Sequence, residues 1–283
     1  GWDGRWSSWD SFKLQTTEKS NAPILGTLDD DTLVGNELNN VINGYAGNDI
    51  LLGETGNDNL TGGGGNDTLS GGGGFDTFHV DSGTDTITDL ETGDVFIVSS
   101  GATLNTIDVQ SFIATSNTSN NGTAVLTAHN SGSTIDLTNS SNGDYTLAGR
   151  DGVDTLIGGT GNDTMVGGGG HDTLVGGAGN DRIWGMEGDD ILTGGAGADT
   201  FFFGLNMAHD TITDFNETEG DTIDFGGLAA SEITRIEEDS NVKYILSDNS
   251  HLTLQNPVLN KEDSSEDEEV ETEVVDKEDK EDE

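Results

Sequence analysis

The sequence predicts an all-β protein built from two tandem solenoid blocks of parallel strands, each followed by a β-hairpin cap. Two observations lead to this prediction. Glycine makes up 43 of the 283 residues and proline only 2, and twelve nine-residue units share one pattern. Six consecutive units begin at Gly26, and six more begin at Gly149. Repeats of this kind are typical of stacked small units rather than of one globular core.

Each unit has fixed residue types at three positions. Position 1 is glycine in all twelve units, position 4 is glycine in ten, and position 6 is aspartate in eleven, with Asn40 as the exception. Glycines at positions 1 and 4 permit positive φ and close backbone approach, so positions 1 to 6 are predicted to form a tight turn. Residues at positions 7 to 9 favour a very short strand.

Position 8 is always apolar, and its strand neighbours point the other way, so its side chain is predicted to face inward. The twelve inward residues are Leu33, Ile42, Leu51, Leu60, Leu69, Phe78, Leu156, Met165, Leu174, Ile183, Leu192 and Phe201. One unit buries almost nothing alone. Two units close an 18-residue coil, and successive coils are predicted to stack with strands about 4.8 Å apart.

Stacking places every position-6 carboxylate over the one 18 residues later. The predicted pairs are Asp49–Asp67, Asp58–Asp76, Asp154–Asp172, Asp163–Asp181, Asp172–Asp190 and Asp181–Asp199. Two carboxylates about 5 Å apart repel each other by roughly 3 kcal/mol at an effective dielectric constant near 20. A column of such pairs therefore requires a cation between its members.

Carboxylates and the carbonyls of glycine-rich turns are hard oxygen ligands, which suit calcium better than zinc, copper or magnesium. The predicted cofactor is therefore several calcium ions. The alternative is that Asp and Asn serve only as turn residues. That alternative is weak for the position-6 aspartates as a group, because Asp recurs at position 6 while Asn clusters at position 5. It is stronger for Asp31, whose turn lacks the second glycine.

The units match the pattern G-G-x-G-x-D-x-U-x, and GGGGNDTLS and GGAGNDRIW are near-ideal copies. The chain thus resembles the hemolysin-type calcium-binding repeats of RTX proteins over about 108 residues. The resemblance implies a parallel β-roll with calcium between stacked turns, held by both position-6 aspartates. It also implies carbonyl ligands from positions 2 and 4 of one turn and positions 1 and 3 of the other.

Carried over to this chain, the first strong site combines Tyr45, Gly47 and Asp49 with Gly62, Gly64 and Asp67. The aspartates implied as metal ligands are Asp31, Asp49, Asp58, Asp67, Asp76, Asp85, Asp154, Asp163, Asp172, Asp181, Asp190 and Asp199. The implied carbonyl ligands are Tyr45, Gly47, Gly56, Gly62, Gly64, Gly65, Gly71, Gly73, Gly152, Gly159, Gly161, Gly167, Gly169, Gly170, Gly176, Gly179, Gly185 and Gly194. The resemblance further implies one-step export and folding outside the cell, at an extracellular or cell-surface location.

The segments outside the units complete the predicted organisation. It comprises an N-terminal Trp-rich cap or contact segment (1–25), a first roll (26–98), a β cap or connector (99–148), a second roll (149–225), a β cap (226–259) and a disordered acidic tail (260–283). Residues 123–139 and 242–256 alternate apolar and polar residues around an Asn/Ser turn, which predicts a hairpin in each cap. Asp85 follows Asp76 by nine residues and belongs to a degenerate seventh unit, whereas two extra residues displace Asp210 from that register.

Aromatic residues outside the core suggest contact surfaces. Trp2, Trp6, Trp9 and Phe12 are spaced like one face of a helix, which predicts an N-terminal cap on the first coil. A sugar-stacking platform and an assembly contact are the alternatives. Trp184 stands at position 9 and is predicted to point outward, as a lesser candidate for a contact surface.

The net charge of −44 disfavours nucleic acid and anionic membranes as partners, since both require Lys and Arg. No run approaches the roughly 18 apolar residues of a membrane span, and the absence of cysteine excludes disulfides and thiolate metal sites. Catalysis is not supported, because the five histidines are scattered in sequence and no G-x-S-x-G, H-E-x-x-H or phosphate-loop motif occurs.

The leading hypothesis is a secreted, non-catalytic pair of calcium-binding modules that folds on binding about six to eight ions. A second hypothesis is a calcium-dependent surface-layer, matrix or filament protein that assembles with itself head to tail. A third is an accessory module of a secreted polysaccharide-modifying enzyme, with a surface polysaccharide as partner.

Overall fold

The computed structural model describes residues 13–15, 21–238 and 240–259, and they form an all-β solenoid of stacked coils. Trp2, Trp6, Trp9, Phe12 and the acidic tail lie outside the described residues. Within the described ranges, no helix has the length and apolar character needed to cross a bilayer.

The strands are short and follow one another at nearly regular spacing. The first eleven are β1 (Lys13–Gln15), β2 (Ile24–Leu25), β3 (Thr32–Asn36), β4 (Val41–Ala46), β5 (Ile50–Glu54), β6 (Asn59–Gly64), β7 (Thr68–Ser70), β8 (Thr77–Val80), β9 (Thr84–Ile87), β10 (Val95–Val98) and β11 (Thr103–Thr106). The next eight are β12 (Ser111–Ile113), β13 (Ser119–Asn120), β14 (Thr123–Thr127), β15 (Thr134–Asp136), β16 (Tyr145–Asp151), β17 (Thr155–Thr160), β18 (Thr164–Gly169) and β19 (Thr173–Ala178). The last eight are β20 (Arg182–Glu187), β21 (Ile191–Ala196), β22 (Thr200–Phe202), β23 (His209–Ile212), β24 (Thr222–Asp224), β25 (Ile233–Glu238), β26 (Asn241–Leu246) and β27 (His251–Leu254). A 3-10 helix, Ala230–Glu232, precedes β25.

The predicted 18-residue coil is confirmed by the strand register. In the first block Leu33 pairs with Leu51, and Leu51 pairs with Leu69. Parallel pairing at this spacing stacks the position-8 side chains in a line, and all twelve are at most 1% exposed. Their burial follows from the strand alternation, because positions 7 and 9 flank them and face outward.

One side of the solenoid is a continuous sheet and the other side is divided. The twelve-stranded sheet runs in the order β1-β3-β5-β7-β9-β11-β14-β16-β18-β20-β22-β24. Opposite it, a six-stranded sheet (β13-β10-β8-β6-β4-β2) serves the first block, and a nine-stranded sheet (β12-β15-β17-β19-β21-β23-β27-β26-β25) serves the second. The all-β fold with parallel solenoid coils is therefore confirmed.

The hairpin predicted for residues 123–139 is wrong. β14 pairs in parallel with β11 and β16, and β15 pairs in parallel with β12 and β17. Alternation of apolar and polar residues is the same in parallel and antiparallel strands, so it did not distinguish the two. The polar turn at 129–133 connects two different sheets, and Ser133 Oγ donates to Val109 O of the preceding coil at 2.7 Å.

Residues 99–148 instead form longer coils with a strand in each sheet. The coil length is 19, 20 and 21 residues here, as shown by the pairings Thr84–Thr103, Thr103–Thr123 and Ala124–Tyr145. The coil from β11 to β13 contributes one strand to each of the three sheets. The six-stranded sheet ends there, and the nine-stranded sheet begins beside it.

The hairpin predicted for residues 242–256 is confirmed, because β26 and β27 pair antiparallel. β27 also pairs in parallel with β23, so the hairpin extends the nine-stranded sheet at its C-terminal end. β25 adds a further antiparallel strand. Such a cap covers the last coil and its strand edge.

Candidate metal centre

Four columns of stacked turns contain the position-6 residues, two columns in each block. In the first block they are Asp31-Asp49-Asp67-Asp85 and Asn40-Asp58-Asp76-Asp94. In the second block they are Asp154-Asp172-Asp190-Asp210 and Tyr145-Asp163-Asp181-Asp199-Asp221. All twelve sequence-predicted aspartates belong to these columns, and each is at most 5% exposed.

In each stacked pair, the backbone amide of the earlier turn holds one oxygen of the later carboxylate. The amide N–H of Asp49 donates to Asp67 Oδ1 at 2.8 Å, and the amide of Asp163 donates to Asp181 Oδ1 at 2.7 Å. The same bond repeats down every column with lengths from 2.7 to 3.1 Å. This contact fixes the orientation of each carboxylate and leaves its second oxygen to other partners.

In most of these aspartates the second oxygen is buried and has no hydrogen-bond partner in the described structure. The orphaned oxygens are Asp154 Oδ1 and Oδ2 of Asp49, Asp58, Asp67, Asp76, Asp85, Asp154, Asp163, Asp172, Asp181, Asp190, Asp199 and Asp210. Buried polar atoms are nearly always satisfied, and a bare buried carboxylate oxygen is especially unfavourable. A regular series of them therefore fits a cation, which would supply the missing partner.

The backbone carbonyls of the turns point into the same gaps. Between the turn of Asp49 and the turn of Asp67, Tyr45 O and Gly47 O face the next coil at Gly63 and Gly65. From the other side, Gly62 O faces Gly44. Hard oxygen donors from two carboxylates and several carbonyls match the preference of calcium.

The carbonyl of position 3 has a second role. Gly64 O accepts the amide N–H of Gly47 at 2.9 Å, and Gly169 O accepts that of Gly152 at 2.7 Å. A carbonyl oxygen has two lone pairs, so this bond leaves capacity for a ligand. The corresponding carbonyls at positions 1, 2 and 4 face neighbouring coils in the same way at Gly56, Gly65, Gly71, Gly152, Gly159, Gly161, Gly167, Gly170, Gly176, Gly179, Gly185 and Gly194.

Of the two reasons predicted for glycine at position 1, positive φ is wrong and close approach of neighbouring atoms is confirmed. Positive φ occurs at positions 2 and 4, for example at Gly63 (102°) and Gly65 (134°), and not at position 1. Position 1 is glycine because a Cβ there would collide with the orphaned Oδ2 of its own unit, as at Gly62 against Asp67. The glycine thus makes room for the carboxylate.

Three of the aspartates at column ends differ from those in the middle. Asp94 Oδ2 accepts the amide of Glu91 at 3.0 Å, and Asp221 Oδ2 accepts the amide of Asn216 at 2.8 Å. These two aspartates close their columns with a backbone bond in place of the orphaned oxygen. At the other end, Asp31 Oδ2 accepts the Thr27 hydroxyl at 2.9 Å.

Sequence reasoning missed Asp94 and Asp221 and gave Asp210 less weight than its position warrants. Asp94 follows Asp76 by 18 residues, so the coil spacing alone identifies it. Asp210 and Asp221 lie 20 and 22 residues after their partners, because inserted residues lengthen those coils. The inserted residues lie outside the turns, so Asp210 and Asp221 still stack on the aspartates of the preceding coil.

Position 5 forms a second ladder that needs no metal. Asn48 Oδ1 accepts the amide of Asn66 at 2.9 Å, and Asn66 Oδ1 accepts the amide of Thr84 at 2.9 Å. Asn162 and Asn180 continue the pattern in the second block at 2.8 Å. These bonds explain why Asn clusters immediately before the column aspartates.

Three of the histidines that are scattered in sequence lie together at one edge of the second block. His171 Nδ1 accepts the amide of Asp189 at 2.9 Å, and Asp189 Oδ1 lies 3.2 Å from His209 Nδ1. The His209 ring is 3.9 Å from that of His251. The register of 18 and 20 residues, together with the C-terminal hairpin, brings these residues into one exposed row. No group of three or more His or acidic side chains in the described part has the geometry of a metal centre.

Trp184 occupies the outward face, as position 9 predicts, but its ring is partly covered. It stacks on Phe202 of the adjacent strand with centroids 3.8 Å apart and planes 6° apart. Arg182 lies 5.4 Å from the Phe202 ring centroid. The face of Trp184 toward Phe202 is therefore not free for a ligand.

Burial raises the pKa of column carboxyls in both blocks. Desolvation is the largest cause, and neighbouring carboxylates add to it: the pKa is about 6 for Asp58, about 7 for Asp85 and Asp163, and about 8 for Asp210, against 3.8 for an ordinary aspartate. The charged form is thus disfavoured in the folded state unless a cation lies beside it.

We expect the calcium-free chain to gain β structure as the pH falls from about 8 to about 4. The folded state binds protons with a pKa of 6 to 8 and the unfolded state with a pKa near 3.8, so stability rises as the pH falls through the folded values. Circular dichroism of calcium-depleted protein measures this. Potassium chloride at neutral pH is the control, since it screens the net charge without protonating buried carboxyls. Acidification that leaves the chain unfolded would contradict the desolvation argument.

Fold and site together define a class of protein: a parallel β-solenoid whose stacked acidic turns suit hard divalent cations. The family model of the RTX calcium-binding nonapeptide repeat matches residues 25–60, 52–87, 141–174, 148–183 and 166–201. The matched stretches, residues 25–87 and 141–201, therefore consist of RTX calcium-binding repeats, and in the structure they form a β-roll.

One solved structure has a weak similarity to this chain. The crystal structure of the extracellular lipase LipA from Serratia marcescens is similar over 86% of this chain, with 20% identity and a TM-score of 0.28. The match spans 39% of the lipase chain. No curated protein matches the sequence significantly.

Proposed function

We propose that the chain is an extracellular, non-catalytic pair of RTX modules that folds when calcium fills the gaps between stacked turns. The observation that carries this proposal is the series of buried carboxylate oxygens without partners, which recurs along all four columns. Each lies beside carbonyls that point into the gap between two coils. Calcium would neutralise the carboxylates and satisfy both sets of oxygens.

Six gaps have a column aspartate and a glycine-rich turn on both sides. They lie between Asp49 and Asp67, Asp58 and Asp76, Asp154 and Asp172, Asp163 and Asp181, Asp172 and Asp190, and Asp181 and Asp199. The gaps between Asp67 and Asp85 and between Asp190 and Asp210 are the seventh and eighth, since Asp85 Oδ2 and Asp210 Oδ2 are also orphaned. The gap between Asp31 and Asp49 is the weakest and is expected to stay empty, because Thr27 already satisfies Asp31 Oδ2.

Folding is coupled to binding because the core is thin. Each unit of the rolls contributes one fully buried position-8 side chain, while 43 glycines must lose their large conformational freedom. Apolar burial alone does not offset that cost, so metal binding supplies the remaining free energy. Dissociation constants on the order of 10⁻⁴–10⁻³ M would fill the sites outside cells and leave them empty inside.

An accessory role in secretion or display follows from this coupling. A chain that stays unfolded at low cytosolic calcium can pass an export machine and fold after release. The column carboxylates have no catalytic role in this function, because they are engaged in cation binding.

We expect calorimetry to find six to eight calcium ions per chain and to lose two of them in Asp172→Asn. Asp172 lies between Asp154 and Asp190 and borders two gaps. Asp151→Asn, at an exposed position 3 of the same block, removes the same charge outside the columns and should keep the full stoichiometry.

One or two ions in the unmodified chain would overturn the column arrangement. Equal losses in the two variants would show that net charge, rather than the stacked turn, controls binding.

A further inference from the structure

A cleft of about 510 Å³ opens at the end of the first block. Three successive coils line it: the turn of Phe75, the segment from Asp89 to Thr92, and residues Asp108 to Ser111. It lies where the six-stranded sheet ends and β12 begins the nine-stranded sheet. Its first two walls belong to the turns of Asp76 and Asp94, the last stacked pair of their column.

Phe75 forms one wall of this cleft and is 65% exposed. It occupies position 5, where other units of the block have Asn as a hydrogen-bond acceptor for the next coil. Its ring lies against the backbone of Gly93, where a Cβ would collide with the ring carbons. One part of the ring therefore rests on the chain and the remainder faces solvent. The position-5 ladder does not explain an aromatic residue here.

The other walls are polar and negatively charged. Asp89, Glu91 and Asp108 line the cleft together with Gln110, and no Lys, Arg or His belongs to its lining. Arg150 bonds Asp108 from outside at 2.8 Å, which offsets one of the three charges. Asp89 is held in place because it accepts the amides of Gly71 and Gly72 at 3.1 and 2.8 Å.

We propose that this cleft binds an organic ammonium group, with the exposed face of Phe75 against the cation and the carboxylates of Asp89 and Glu91 around it. An aromatic face attracts a cation through its quadrupole, and carboxylates at the rim add charge attraction. The chain's net charge of −44 raises the local concentration of cations and disfavours acidic ligands. A neutral ligand of the same shape would gain only apolar contact with the ring.

The test uses the full, calcium-saturated chain labelled with ¹⁵N, at constant ionic strength. The probes are choline and its neutral isostere 3,3-dimethyl-1-butanol. We expect choline to shift the amide signals of Phe75, Thr92, Gly93 and Ser111, with a dissociation constant on the order of millimolar. Phe75→Leu should weaken choline binding about five- to tenfold, because it keeps an apolar side chain but removes the aromatic face. Glu91→Gln should weaken it as well.

Val153→Ala is the matched control, since Val153 is also an exposed position-5 residue, at 65%, but lies in the second block outside the cleft. It should leave choline binding unchanged, and calcium stoichiometry in each variant verifies folding. Equal affinity for the neutral isostere would overturn the proposal in favour of an apolar site. Choline shifts spread along the acidic surface and insensitive to Phe75→Leu would overturn it in favour of counterion binding.

Discussion

Removal of calcium is expected to convert the folded protein into an expanded chain of unchanged mass. Thirteen buried carboxylate oxygens have no hydrogen-bond partner in the described part of the chain, and stacked carboxylates about 5 Å apart repel each other by roughly 3 kcal/mol per pair. Without a cation, the unsatisfied oxygens and the carboxylate repulsion both destabilise the folded state. The thin core buries too little apolar surface to offset them. An unfolded chain of 283 residues has a radius of gyration near 59 Å, against about 19 Å for a compact globule.

Size-exclusion chromatography with light scattering measures this change, in millimolar calcium and again in chelator. Magnesium at the same concentration is the control, and it should not restore the compact form, because it requires strict octahedral geometry and retains its waters. A compact chain in chelator would contradict calcium-coupled folding. If calcium instead raised the mass into multimers, the hypothesis of a self-assembling structural protein would take precedence.

The repeat pattern predicted the roll because each turn repeats one local geometry. Glycine at position 1, Asp at position 6 and an apolar residue at position 8 are fixed by contacts within a coil or between neighbouring coils. Leu51, for example, is buried because its strand neighbours face outward and its stacking partners are Leu33 and Leu69. Such contacts depend on the spacing alone, which is visible in the sequence.

The parts that sequence reasoning predicted incorrectly depend on contacts that the spacing does not encode. Residues 123–139 alternate like a hairpin, yet their turn bonds Val109 of the coil before and sends the chain into another sheet. Asp221 closes a column although four inserted residues separate it from the regular spacing. The row of His209 and His251 requires the C-terminal hairpin to fold back onto β23.

The second large effect is expected from alanine substitution of glycine, which should destabilise the fold at position 1 of a unit but not at position 3. A Cβ at Gly176 would collide with Asp181 Oδ2 and lie 2.6 Å from Gly194 O. A Cβ at Gly169 would lie 3.5 Å from its nearest neighbour, Asp151 Oδ1, which is ordinary contact. Neither glycine has a positive φ, so backbone conformation does not separate the two sites.

We expect Gly176→Ala to lower the free energy of unfolding in saturating calcium by about 2–4 kcal/mol, as overpacking against fixed backbone atoms does. It should also raise the calcium concentration needed for folding, because the displaced carboxylate of Asp181 borders two gaps. Gly169→Ala keeps its carbonyl and should change stability by less than about 0.5 kcal/mol. Urea denaturation and calcium titrations followed by circular dichroism measure both quantities.

The repeats themselves favour this outcome. Position 3 holds Ala46, Thr55, Asp151 and Glu187 in other units, whereas position 1 is never anything but glycine. Equal destabilisation by the two substitutions would mean that loss of glycine as such weakens the turn. A loss of stability confined to Gly176→Ala would show that position 1 must be glycine because a Cβ there would displace the carboxylate.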